Sequence, residues 1–250
     1  MNTAWDTPVL AGWLMASFAM AVASVAATIR FGWPRRHSLY GVLAAVLLAA
    51  STLSLKDPLA SMASYSAGLM ILSQGVPPLL LLSVPNNIWN RWRGAPAPLA
   101  APGLHGWLLD PGVAGMVFVI VSVGVSVPGI FEPALANALY SAPLGAVELL
   151  SGVLFWGQLF GTTRSIPHDW QAGLFALIGS MPMTAVAVAW MTSPDVLYMP
   201  YLNLVCRWDI PPLMDQHLAG FTMLLFGLPL QVTGSWLLVA AGVRRPIASA

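Results

Sequence analysis

Residues 9–29 read VLAGWLMASFAMAVASVAATI, an uncharged run that ends against Arg30. A helix rises about 1.5 Å per residue and a bilayer core is about 30 Å thick, so a run of this length suffices to cross it. Comparable runs occupy 39–55, 58–84, 113–130, 139–161, 172–190 and 218–243, the second being the shortest. They are continuous, whereas the strands of a membrane barrel would alternate in polarity over about ten residues. With 58% hydrophobic and 8% charged residues, the chain lacks the polar side chains that would cover a water-soluble globule. The sequence predicts an all-α integral membrane protein, a bundle of seven transmembrane helices, with residues 1–250 forming a single transmembrane domain.

Charge in the gaps gives that bundle a direction. Arg30, Arg35, Arg36, Arg91, Arg93, Arg164, Arg244 and Arg245 all fall on one side, and the other side holds only Lys56 and Arg207 together with Asp6, Asp57, Glu132, Asp195, Asp209 and Asp215. Basic residues near helix ends are retained in the cytoplasm, which predicts an outside N-terminus and a cytoplasmic C-terminus. Trp5, Trp33, Trp89, Trp92, Trp107, Trp170, Trp190 and Trp208 lie near the proposed helix ends or in the gaps, and indole rings favour the headgroup region. The first run could be mistaken for a cleaved signal because residues 21–27 are small, but Asp6 stands where a signal peptide carries Lys or Arg. It reads as a retained helix.

No gap is long enough to enclose a core of its own. Residues 85–112 contain Gly94-Ala95-Pro96-Ala97-Pro98 and Pro102-Gly103 and predict turns and extended backbone. Residues 192–217 are rich in Tyr, Met, Trp and Pro and predict a segment lying against the membrane or a partner. Pro77, Pro78, Pro182 and Pro229 interrupt the third, sixth and seventh runs; each lacks a backbone donor and invites a kink.

Glu148 is the one acidic or basic side chain inside a proposed span, where a charge costs about 3 kcal/mol even on the gentler insertion scales. Three readings stand open: a proton-relay or substrate carboxylate, a protonated hydrogen-bonding group, or a residue nearer the outer interface. Gln158 is a second interior polar position on the same helix. His37, His105 and His168 fall in cytoplasmic gaps at wide spacing and read as solvated loop residues. On the outer side Met199, Cys206, Met214 and His217 bring thioether, thiolate and imidazole close together in sequence, donors that suit Cu(I) but without diagnostic spacing. Cys206 is the single cysteine, which permits no internal disulfide. There is no P-loop, no dinucleotide-binding glycine pattern and no Ser-His pair in plausible context. A net charge of +1, with the basic residues explained by topology, does not point to nucleic acid.

Three stretches carry a resemblance. Residues 74–85 read Gln-Gly-Val-Pro-Pro-Leu-Leu-Leu-Leu-Ser-Val-Pro, residues 154–156 read Leu-Phe-Trp, and residues 211–220 read Pro-Pro-Leu-Met-Asp-Gln-His-Leu-Ala-Gly. Together they resemble the membrane-embedded CtaG family of cytochrome c oxidase assembly factors, associated with copper-dependent maturation of haem-copper oxidases. The resemblance implies that Pro77, Pro78, Asp215, Gln216 and Gly220 belong to a structural or docking motif, with Glu148 beside it. Family members usually carry paired histidines before the Pro-Pro step and again before the Phe-Trp step. Here those regions, residues 61–68 and 142–149, read SMASYSAG and APLGAVEL, without histidine.

From the residues alone, Asp215 and Gln216 precede the last helix, where a carboxylate caps the helix and complements its dipole, and Ala219 and Gly220 allow another backbone to approach. Residues 112–115, Gly-Val-Ala-Gly, form a second small-residue surface for a lateral partner. The expected function is a non-catalytic protein of the bacterial inner (plasma) membrane that assists assembly of a haem-copper respiratory oxidase, or stays bound to it as an accessory subunit. Its expected partners are the lipid bilayer and the oxidase's transmembrane subunits, with copper a doubtful ligand. The alternative is a small metal or solute transporter using kinked helices and Glu148.

Overall fold

The computed structural model describes residues 7–85, 88, 107, 110–136, 138–160, 166–202 and 208–243. Every regular element among them is helical. Helix α1, Thr7–Phe31, ends at Gly32, whose φ of +66° is comfortable only without a Cβ. Pro34 then stands as the cap of α2, Arg35–Leu55, which begins four residues earlier than its apolar run. That early start corrects the expectation for His37. It is buried in the first turn of α2, with Nδ1 2.8 Å from the carbonyl oxygen of Leu82 at the end of the next helix.

After a separate 3-10 turn at Pro58–Ala60, helix α3 runs Met62–Ser83 through one π turn, Ile71–Gly75. The π turn shows how the chain accommodates Pro77 and Pro78. Neither proline can donate to the carbonyl four residues back, and an α-helical turn would press each ring against that carbonyl. In the widened turn the Val76 N–H bonds the Ile71 oxygen five residues back. Gly152 of a neighbouring helix uses the space beside it: a Cβ there would lie 2.5 Å from the Ser73 oxygen and 2.8 Å from Pro77 Cγ.

The fourth apolar run, 113–130, is not one helix. Asp110 caps α4, Pro111–Gly124, accepting from the Gly112 and Val113 N–H groups at 2.8 and 3.2 Å. The chain then turns at Val125-Ser126-Val127 into a short helix α5, Pro128–Ala136, with a bend of 64° between the two axes. Pro128 supplies the reason. Its ring disfavours helical backbone at Val127 and it has no N–H to continue the ladder. Three long helices complete the bundle: α6, Ala138–Leu159; α7, Asp169–Thr192; and α8, Pro212–Val243. Pro182 and Pro229 lie inside α7 and α8 without interrupting either. Among the described residues six helices are long and apolar enough to cross a bilayer alone, and the count is seven when α4 and α5, bent against each other, are taken together as one span.

The most extensive packing is the antiparallel seam between α7 and α8. Glycine makes it close. A Cβ on Gly220 would lie 2.6 Å from the Ala187 oxygen, and one on Gly173 2.7 Å from the Gly234 oxygen. The small residues of 112–115 are likewise used internally, with Ala114 fully buried and Gly115 against the Phe175 ring. Helix α1 packs mainly on α2 and leaves Met15, Phe18 and Ile29 exposed, as a lipid-facing edge helix should.

Asp57, Glu132, Asp195, Asp209 and Asp215 gather at one end of the bundle, here called the acidic end; Arg30, Arg35 and Arg36 mark the basic end. The other arginines of the basic gaps, and Cys206 with Arg207, lie outside the described residues.

Candidate functional site

The acidic end is tied together by Asp215 and Gln216. Helix α8 starts at Pro212, and the Asp215 N–H already bonds the Pro211 oxygen, so Asp215 lies inside the first turn rather than ahead of it. Its carboxylate is buried and turns away from its own helix. It accepts from Ser61 Oγ at 2.8 Å, from the Met62 N–H at 2.6 Å and from the Ala63 N–H at 3.3 Å. Ser61 Oγ in turn accepts from the Ser64 N–H at 3.2 Å. The N-terminus of α3 is therefore capped from another helix, and the negative charge stands where its orphan donors and dipole favour one.

Gln216, also buried, holds the segment between α7 and α8. Its Oε1 accepts from the Leu197 N–H at 2.8 Å, and its Nε2 donates to the Asp195 and Trp190 oxygens at 3.3 and 3.4 Å. His217 Nε2 lies 3.1 Å from the Ser193 oxygen. The strap 193–201 then crosses the end of the bundle, with Tyr198 Oη donating to the Ser126 oxygen at 2.6 Å, the Met199 N–H to Glu132 Oε1 at 3.0 Å, and Tyr201 Oη to the Pro58 oxygen at 2.6 Å. Burial holds the Tyr198 phenol above its ordinary range, an indole bond from Trp190 partly offsetting this and Glu132 adding to it. The phenol thus remains a donor into alkaline pH. Beneath the strap Phe131 packs against Tyr198, Trp190 and Tyr65, with ring centroids 4.5, 5.8 and 5.6 Å apart.

Farther in, Glu148 is fully buried on α6, and neither carboxyl oxygen has a hydrogen-bond partner among the described residues. Tyr65 of α3 lies within electrostatic reach and its hydroxyl is likewise unpartnered. Gln158 is buried toward the basic end, donating to the Leu154 oxygen at 3.4 Å. Phe155 stacks between Phe118 and Phe175 at 4.3 and 4.6 Å and fills the space beside Gly179. The Leu-Phe-Trp stretch thus joins α4, α6 and α7.

The donors do not match a copper ion. In the stretches where the family usually carries histidines, residues 61–68 and 142–149, this chain has none, whereas Cu(I) selects sulfur and imidazole. Met199 and Met214 are exposed, and His217 Nε2 is occupied by Ser193. Among the described residues no three His, Cys, Asp or Glu side chains are placed to share a metal ion. Cys206, the thiol of the candidate set, falls outside the described residues.

The family described as cytochrome c oxidase caa3 assembly factor matches residues 16–245, from α1 to the end of α8. The chain belongs to the CtaG family. No curated protein and no solved structure matches it. Within this CtaG-family bundle, the stretches 74–85, 154–156 and 211–220 fall at the π turn, the phenylalanine stack and the Asp215–Gln216 node. Each is a place where helices are locked together. Ser61, Ser126, Glu132, Tyr198 and Tyr201 complete the node and were not legible as site residues, because their partners are as much as 154 residues away in sequence.

One consequence is testable at Gln216. Gln216→Leu keeps the volume and removes the acceptor for Leu197 and the donor to Trp190 and Asp195, a loss of about 2 kcal/mol for bonds of this kind. The effect should be local. Amide exchange at Leu197 is expected to accelerate while the centre of α3 stays protected; unchanged exchange at Leu197 would show that the glutamine does not hold the strap.

Proposed function

We propose that this chain is a non-catalytic member of the CtaG family that assists assembly of a haem-copper respiratory oxidase in the bacterial plasma membrane. The observation that carries this reading is the family match over residues 16–245, which covers most of the chain. A braced acidic end, with Met199, Met214 and Trp208 exposed and Met199 held to Glu132, offers oxidase subunits a preformed surface at the membrane boundary. The lack of histidine in residues 61–68 and 142–149 shifts the role from copper delivery toward scaffolding. Gentle extraction from cells expressing the oxidase, followed by mass spectrometry, tests this. Recovery with oxidase subunits at constant stoichiometry supports a resident accessory subunit, and recovery only when cofactor insertion is blocked supports a transient factor. A monodisperse, partner-free protein under both conditions would sink the assembly reading.

The acidic end is proposed to face outward, because the basic gaps belong on the cytoplasmic side. In a Cys206→Ser background, Met199→Cys places a thiol at an exposed position of the strap. A membrane-impermeant maleimide is expected to label it in intact cells; labelling that needs permeabilisation reverses the topology.

A transporter remains the second reading, favoured by the unpartnered Glu148 inside the bundle. Substrate-dependent flux in proteoliposomes containing this protein alone would favour it.

A further inference from the structure

Helices α4 and α7 both run from the basic end to the acidic end, and near their starts aromatic rings stand between them. Phe155 of α6 stacks between Phe118 of α4 and Phe175 of α7, with centroids 4.3 and 4.6 Å apart. Glycines make room for the rings. A Cβ on Gly115 would lie 2.8 Å from Phe175 Cε2, and one on Gly179 2.5 Å from Phe155 Cε2. The stack is a rigid floor that α4 and α7 cannot close over without breaking ring contacts. Above it lies a furrow of about 360 Å³, with exposed Met116 and Ile178 among its walls. Every residue lining it is Gly, Pro, Val, Ile, Met or Phe.

Toward the basic end the furrow meets a second space of about 450 Å³, the two sharing Pro111, Phe175 and Ile178 as walls. The lining changes there. Trp170 and Gln171, in the first turn of α7, bring an indole and an amide to this mouth. Gln171 Oε1 lies 3.2 Å from His168 Nδ1, which leaves the amide nitrogen as its donor. The feature is thus apolar along its depth and polar at the one mouth that sits at headgroup level, where indoles settle.

That shape selects the occupant. Water does not fill an apolar space of this kind, and an empty one forfeits contacts along its walls. A partner helix would rest on the rim: over the rise from Pro111 to Val119, about 12 Å, a helix about 10 Å across occupies roughly twice the furrow's volume or more. An unbranched hydrocarbon enters. An apolar cavity of about 150 Å³ holds benzene, so this one has space for a chain of about a dozen carbons.

We propose that the furrow between α4 and α7 binds one acyl chain of a phospholipid from the leaflet at the basic end, with its ester groups beside Trp170 and Gln171. The ester oxygens accept from the indole and amide N–H groups, and the chain lies along the ring floor toward Val119. The site belongs to the chain itself and does not rest on the assembly reading.

The test uses the full-length protein in vesicles of phosphatidylethanolamine and phosphatidylglycerol. A trace of phosphatidylethanolamine carries a diazirine either at the end of one acyl chain or next to its ester. After illumination and digestion, mass spectrometry locates the adducts. The chain-end probe is expected to mark Gly115 to Val119 several-fold more than Met15 and Phe18 on the exposed face of α1, which meets bulk lipid. The ester-proximal probe is expected to mark Trp170 and Gln171 instead. Val119→Phe fills the furrow from its wall and should bring labelling there down to the α1 level, with Val119→Leu between. Equal labelling of α1 and the furrow in the wild type, which needs no variant, would mean bulk lipid only and overturn the proposal. So would two probes that mark the same residues, or a Val119→Phe protein labelled as wild type is. A furrow marked in vesicles but shielded in native membranes would assign it to a protein partner and overturn the lipid site.

Discussion

Asp215→Ala is expected to destabilise the bundle by on the order of 3 kcal/mol, well above the roughly 1 kcal/mol typical of an ordinary helix cap. The difference comes from where the carboxylate points. Asp215 satisfies Ser61 Oγ and the Met62 and Ala63 N–H groups of another helix across a buried helix–helix contact, where no water stands in for a lost acceptor without cost. Removing it leaves those donors without their acceptor and deletes the link between the first turns of α3 and α8. Asp215→Asn retains one acceptor oxygen and should lie between wild type and alanine. Ser61→Ala keeps both backbone bonds and should cost about 1 kcal/mol. Because the two side chains share one bond, the double substitution should fall short of additive. Unfolding in mixed micelles, with exposed Asp195→Ala as the control, makes the comparison. Equal, small effects at 195 and 215 would mean that the trans cap contributes nothing.

The same residue separates what one sequence specifies locally from what only the fold brings together. Six of the seven apolar runs fall on single helices long enough to cross a bilayer and the fourth on a bent pair, since crossing is a requirement on composition and length, and both are written in one dimension. The bend at Pro128 escaped the same reading because its flanks, Ser-Val before and Gly-Ile-Phe after, keep the run apolar, and hydropathy does not register a missing N–H. His37 escaped for a related reason. A histidine beside two arginines looks like a solvated loop residue unless α2 is known to begin at Arg35 and Leu82 to end beneath it. For Asp215 and Gln216 the chemistry was legible, acceptor and amide at a helix start, but the partners were not. Gln216 and Gly220, four residues apart, share one helical face, and that face meets α7: one residue bonds the Trp190 oxygen and the other packs on the Ala187 oxygen. The spacing was legible; which helix would cover it was not.

Gly220→Leu is expected to have the largest effect of any single substitution considered, because the obstacle is main chain. A Cβ at 220 would meet the Ala187 oxygen at 2.6 Å and the Met191 nitrogen at 3.1 Å, main-chain atoms in the last turns of α7 that cannot swing aside as a side-chain end can. Overpacking commonly costs about 1–3 kcal/mol and occasionally more. This seam falls at the upper end, since apolar burial adds little to helix association in lipid and close contact supplies most of the attraction. Gly234→Leu should behave alike, its Cβ lying 3.0 Å from the Gly173 oxygen, whereas Gly227 has nothing within 4 Å and should accept leucine with little change. Fluorescence-detected size exclusion after a heating series separates the cases: the 220 and 234 variants lose the monodisperse peak at lower temperature, and the 227 variant does not. The pattern also decides what the Asp-Gln-x-x-Ala-Gly step is for. If Gly220→Leu kept the wild-type melting profile yet no longer recovered oxidase subunits, its glycine would face a partner. Loss of the fold itself assigns the step to internal packing, and leaves the strap and its exposed methionines as the surface on which partner contacts should next be sought.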